Sequence, residues 1–134
     1  MINLLKMRTN SNIWIVMGRN YQAVSTPKEI RIYTTLEGTT PFLEWRDSLK
    51  DARARAKIRA RLDRVEEGNL GDCKFVGEGV YELRIDYCPG YRIYFGEESD
   101  VIILLLWGGD KSRQNKDIRQ AQDYWQDYRS QDNA

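Results

Sequence analysis

Fixed positive charges, rather than imidazoles or paired thiols, are the chemical resource of this sequence. It carries 21 lysines and arginines against 20 aspartates and glutamates, and no histidine, which removes the commonest general base and the commonest zinc ligand together. Cys73 and Cys88 stand without a CxxC spacing, so neither a metal knuckle nor a thioredoxin-type dithiol is indicated, and free thiols of a cytoplasmic protein are the simpler reading. Lysine and arginine can act on a phosphodiester without a metal. When a 2′-hydroxyl attacks its neighbouring phosphate, negative charge builds on the phosphoryl oxygens, and cations held beside them stabilise the transition state. Arg84 lies in the run ELRID, Lys74 in the apolar run before it, and Lys111 just after VIILLLWGGD. In an extended strand Glu82, Arg84 and Asp86 point to one side and Leu83 and Ile85 to the other, so the three cations can converge on one charged sheet face. Proton movement falls to Asp110, Tyr87 or Tyr91. An aspartate near lysine is ordinarily ionised and a poor acid, and a tyrosine needs cations to lower its pKa before it serves as a base. Tyr91 has a second use, stacking on a base.

Each of these residues has a plainer role. Arg84 can pair with Glu82 across one strand step, and Lys111 and Arg113 can simply solvate a loop. Asp110 is more simply a turn cap. Gly108–Ser112 (GGDKS) resembles a phosphate loop in composition only, because it lacks the Walker spacing and the strand-loop-helix frame, and nucleotide hydrolysis is rejected. Tyr124, Trp125 and Tyr128 read as packing residues. The net charge of +1 excludes a histone-like tail or an acidic activation segment. The distribution is uneven, however: Lys50 to Arg64 contains seven basic residues and only Asp51 and Asp63. That density suits ribosomal RNA or an acidic partner segment, and a solvated helix face equally well.

The elements that must position these groups fit one domain of 134 residues. Residues 1–28 mix polar and basic residues around one apolar knot, Ile13–Val16, and read as a loosely attached extension. Met1, Met7 and Met17 are alternative translation starts. The domain proper spans residues 29–130. Glu29–Thr35 alternates as a half-buried strand. Thr40, Pro41 and Glu44 suggest an N-cap, a first-turn proline and a capping box for a helix that buries Phe42, Trp45 and Leu49. Ala54, Ile58, Leu62 and Val65 continue at helical spacing to Gly68, so 41–67 reads as a helical hairpin. Short β-rich runs occupy 73–76, 80–87, 91–96 and 101–107. The last has no polar side and is expected to be the central strand, covered on both faces. A final helix over 116–129 buries Ile118, Ala121 and Trp125, and the polar tail beyond it is expected to fray. The pattern is an α+β domain with an N-terminal helical hairpin and a C-terminal helix on a curved, mostly antiparallel sheet. No apolar run approaches the roughly 20 residues that cross a bilayer, so a cytoplasmic protein is expected.

The linked blocks YELRIDY, GYRIYF and GGDKS, within residues 29–128, resemble the RelE/ParE superfamily of bacterial toxins, nearest to its HigB-like, phage-derived addiction-module killer branch. The resemblance implies a type II toxin-antitoxin toxin that cleaves mRNA, often on the ribosome, without metal or cofactor, and that is neutralised by a cognate antitoxin, expected to be a helix-turn-helix protein. It implies phosphate contact and activity at Lys74, Arg84 and Lys111. Tyr91 completes the candidate catalytic set, and Arg92, Arg113, Lys116, Arg55 and Arg59 are candidate RNA contacts. Members with a defined mechanism often place a histidine or tyrosine near the start of the last helix, where this chain has Ile118. That departure keeps open a noncatalytic ParE-like toxin acting on DNA gyrase, and an inactive remnant that serves only as an antitoxin-bound co-repressor.

Overall fold

The computed structural model describes residues 26–132, together with the backbone of two short N-terminal strands, β1 (Leu5–Arg8) and β2 (Trp14–Met17), paired antiparallel as a ribbon of their own. Apart from that ribbon, the extension expected over 1–28 lies outside the described residues up to position 25. From β3 (Glu29–Ile32) the chain runs through α1 (Pro41–Ser48), α2 (Ala52–Glu66), β4 (Cys73–Gly77), β5 (Val80–Ile85), β6 (Tyr91–Glu97), β7 (Ile102–Asp110), a single 3-10 turn at Lys111–Arg113, and α3 (Gln114–Asp132). The five strands form one open sheet in the order β3-β7-β6-β5-β4. β3 runs parallel to β7 and every other pair is antiparallel. The protein is therefore α+β, with a mostly antiparallel sheet.

Both faces of that sheet are covered. On one, Phe42 of α1 and Ile58 and Val65 of α2 pack on Leu83, Ile85, Ile93, Phe95, Ile103 and Leu105. On the other, Ala121 and Trp125 of α3 pack on Val80, Tyr94, Leu104 and Leu106. Two covered faces explain why VIILLLW has no polar side. The expectation that this run is the central strand needs correction, because β6 holds the middle position and β7 lies between it and β3. Both strands are buried along most of their length, so hydrophobicity alone does not rank them.

Helix starts obey local chemistry with one exception. Asp51 caps α2, its carboxylate accepting from the Arg53 amide at 2.9 Å. Thr40 makes no side-chain cap bond to α1. The expected capping box fails by one position, since Glu44 is the fourth residue after Thr40 and the box requires the third. Its amide instead donates the ordinary helical bond to the Thr40 carbonyl at 3.0 Å. α3 begins two residues earlier than expected and continues through Asp132, past the expected point of fraying. Between α1 and α2 lies a groove of about 520 Å³ lined by Ile32, Phe42, Leu62 and the stems of Arg55 and Arg59, among others.

Candidate functional site: a cationic end of the sheet

Strand register decides which of the cations meet. In β4, β5 and β6, Lys74 lies opposite Glu82, and Glu82 opposite Tyr94; one rank further along, Arg84 lies opposite Arg92, which faces Gly109 of β7. Tyr94 and Val80 pack against α3, so by strand alternation Lys74, Glu82, Arg84 and Arg92 all belong to that face. β7 ends at Asp110, and the 3-10 turn after it carries Lys111 and Arg113 to the same end, at the start of α3. A Cβ built on Gly90 would lie 3.7 Å from Lys111 Cβ and 3.8 Å from Arg92 Nη1, which places those two cations on either side of one turn. Lys111, Ser112, Arg113, Asn115, Lys116 and Arg119 line an adjoining polar crevice of about 410 Å³. Lys74, Arg84 and Arg92 thus share the α3 side of the sheet, and Lys111, Arg113 and Lys116 follow in the turn and helix beyond β7; Arg92, expected as an RNA contact, is buried rather than exposed.

The remaining sequence candidates lie elsewhere. Tyr91 belongs to the opposite face, where its ring meets Trp45 edge-on at 6.1 Å and stacks beside Tyr87 at 6.4 Å. It therefore does not join Arg84 and Lys74: consecutive residues of a strand point to opposite sides, and Arg92 takes the cationic one. Arg55 and Arg59 are also separated from the cluster by the sheet. They project from α2 at the α1–α2 groove, where the Arg55 guanidinium donates to the Leu49 carbonyl.

The group that organises the cationic face is Glu82, which the sequence presents only as a possible partner of Arg84. It is fully buried. Its Oε1 accepts from Arg84 Nε at 3.2 Å and forms an ion pair with Arg92 Nε at 3.4 Å. Its Oε2 accepts from the Tyr94 hydroxyl at 3.1 Å and from Gln114 Nε2 at 2.9 Å. A buried carboxylate must be paired and hydrogen-bonded, and here strands β5 and β6 and helix α3 all supply donors. Burial and the Glu82 charge push the Tyr94 phenol far above its ordinary pKa. A second buried acid, Asp117 in the first turn of α3, accepts from Trp107 Nε1 at 3.0 Å and lies directly over the backbone of Gly109. Desolvation raises its pKa, with Arg113 and Lys116 pulling the other way. The sequence carries no signal for either acid: Glu82 stands on β5, two strands from β7, and Asp117 on α3, and each is buried only by elements brought together in space.

None of the three proton-transfer candidates is poised for that task. Asp110 accepts from the Ser112 amide at 2.8 Å and from its hydroxyl; these bonds, with Arg113 and Arg92 nearby, hold its pKa below the usual carboxylate value. It caps the 3-10 turn, the plainer of its two expected roles. Tyr87 donates to Asp51 at 2.9 Å, and that bond raises its pKa; burial raises that of Tyr91. Both tyrosines are therefore harder to ionise at neutral pH than an unperturbed phenol, and less available as bases. The glycines of GGDKS are strand residues. The Trp45 ring of α1 lies on Gly108 and the Asp117 carboxyl of α3 lies on Gly109, one from each side of the sheet, leaving no room for a Cβ at either position. The pair is there for close packing, and the expected loop begins only at Lys111.

An uncharacterized protein of Haemophilus influenzae is 51% identical to this chain over 92 residues, covering 69% of the chain and 89% of the relative. The chain belongs to that protein's family. No known family model matches the chain. Among the described residues, no helix is long and apolar enough to cross a membrane.

Proposed function

We propose that the protein is the toxin of a type II toxin-antitoxin pair, of RelE/ParE build and HigB-like, with α1 and α2 as its N-terminal helical hairpin, and that it cleaves mRNA, on the ribosome, in the cytoplasm. The observation that carries this reading is the placement of Lys74 and Arg84 on one face of the sheet, around the buried Arg92, with Lys111 and Arg113 in the turn that follows β7. Cations held there before substrate arrives suit the extra negative charge of a phosphodiester under attack by its own 2′-hydroxyl. The protein's contribution is then chiefly electrostatic, consistent with the pKa directions of Asp110, Tyr87 and Tyr91. The partner that neutralises it is a helix-turn-helix antitoxin whose acidic segment covers the cationic end. Joint replacement of Lys74, Arg84 and Lys111 by Ala is expected to abolish growth arrest and to slow cutting of a reporter transcript in a translating extract by at least about 100-fold. A folded triple variant that remains as toxic as the wild type refutes the proposal.

One observation favours a second reading, a noncatalytic toxin that binds DNA gyrase: Tyr91 stands on the far face, and Asp110, which lies near Arg92 and Arg113, is engaged as a turn cap. Measuring transcript cutting and gyrase supercoiling in the same extract separates the two. Inhibited supercoiling with an intact transcript selects the gyrase reading. Antitoxin binding without any growth phenotype selects an inactive co-repressor.

A further inference from the structure

We propose that Glu82 is the positioning residue of the cationic end, a buried carboxylate that holds Arg84 by its inner nitrogen, with the buried Arg92 as a second counter-charge, and so presents the outer end of the Arg84 guanidinium to a phosphate. This rests on the nuclease reading above. A guanidinium has five N–H donors in a planar fork, and a carboxylate has about four acceptor positions. Glu82 accepts from Arg84 Nε, Tyr94 and Gln114, and Arg92 Nε lies 3.4 Å from Oε1 as an ion pair without a hydrogen bond. Arg84 therefore engages it through Nε rather than through the terminal pair that a bidentate salt bridge would consume. Arg92 gives its hydrogen bond from Nη1 to the Gly90 carbonyl at 3.3 Å. The terminal nitrogens of Arg84 make no other bond among the described residues, and its side chain is 38% exposed. One buried negative charge thus orients the exposed Arg84, is balanced also by the buried Arg92, and leaves the cluster net positive.

If Glu82 served stability alone, a neutral residue of the same shape would cost only stability, as buried ion pairs often do not outperform neutral packing. A positioning role has a different signature. Tyr94 and Gln114 fix the carboxylate from the side away from the arginines, tying its orientation to β6 and to the first turn of α3. Loss of that orientation misplaces the Arg84 guanidinium without removing it, which acts on the transition state more than on ground-state binding.

The test is Glu82→Gln in the full-length protein, with a reporter mRNA cut in a translating extract as the readout. The expected result is a fall in kcat of about 10- to 100-fold with KM changed less than about twofold. The salt dependence of RNA binding should keep its slope, because the number of cations is unchanged. In an Arg84→Ala background the same substitution should cost no more than about threefold, since the two act as a unit. Wild-type-like cutting by E82Q overturns the assignment, as does an equal loss with and without Arg84. Should E82Q fail to fold by far-ultraviolet circular dichroism, Tyr94→Phe and Gln114→Ala each remove one bond to the carboxylate. Each is then expected to lower kcat by about 3- to 10-fold, and unaltered cutting by both overturns the assignment. Wild-type protein that leaves the transcript whole refutes the nuclease reading and the assignment with it, whereas wild-type cutting with insensitivity to Glu82 refutes the assignment alone.

Discussion

Gly108→Ala isolates one packing contact whose sign can be worked out in advance. Gly108 is a buried residue inside β7 with no requirement for a left-handed backbone. On conformational grounds alone, alanine should stabilise it by about 0.5–1 kcal/mol through a less flexible unfolded chain. The Trp45 ring lies on its Cα, however, and a Cβ cannot fit beneath it. The ring must move away from Phe42, 5.9 Å distant, and Tyr91, 6.1 Å distant. Overpacking typically costs about 1–3 kcal/mol, and weakening two aromatic pairs adds about 0.5–1.5 kcal/mol each. The repulsive contributions exceed the conformational gain, so a net loss of about 2–4 kcal/mol is expected. Urea unfolding monitored by circular dichroism should show the midpoint fall with the slope preserved. In a Trp45→Ala background the same substitution should be neutral or mildly stabilising, because the obstructing ring is gone. An equal loss in both backgrounds, or none in the wild type, would show that the ring is not the obstacle.

Buried polar groups should respond in three distinct ways. Arg61 is 4% exposed and donates to the carbonyls of Arg84, Leu70 and Asp72; Arg61→Met should destabilise by about 3 kcal/mol by stranding those acceptors, and Arg61→Lys should recover only part of this in urea titration because an ammonium cannot span all three. Burial raises the Asp117 pKa above its ordinary 3.8, so its contribution to stability is full below that value and is lost as pH rises through the raised folded value. Asp117→Asn, which keeps an acceptor for Trp107, should therefore gain on the wild type in unfolding midpoint as pH rises above 3.8, and a difference flat with pH would count against this account. Tyr94→Phe should cost about 1–2 kcal/mol by removing one of the bonds that hold buried Glu82, and an unchanged urea midpoint would show that bond to be dispensable.

Local structure is legible in the sequence. The spacing of Ala54, Ile58 and Val65 places α2 because a helix must bury one stripe, and all three are buried. The alternation of ELRID puts Arg84 on the face away from Leu83 for the same kind of reason. Sheet order is not legible: β7 and β6 both carry side chains inward on two faces, and composition cannot tell the middle strand from its neighbour. Tyr91 and Arg92 show the limit for the site. Their adjacency in sequence invites grouping them as contacts for one ligand, yet a period of two sends them to opposite faces. The role of Glu82 requires three elements to be brought together in space, which no spacing within one of them encodes.

The parallel ladder between β3 and β7, where Glu29 faces Ile102 and Ile32 faces Leu105, joins the earliest strand of the sheet to the latest. During synthesis β3 has no neighbour until the final strand leaves the ribosome, so closure of the sheet waits for almost the whole domain. The cationic end draws on β7 and on the turn and helix beyond it, so it is also the last part to assemble. Under the proposed activity, a nascent chain therefore remains harmless to the ribosome that makes it until β7 and the start of α3 have emerged.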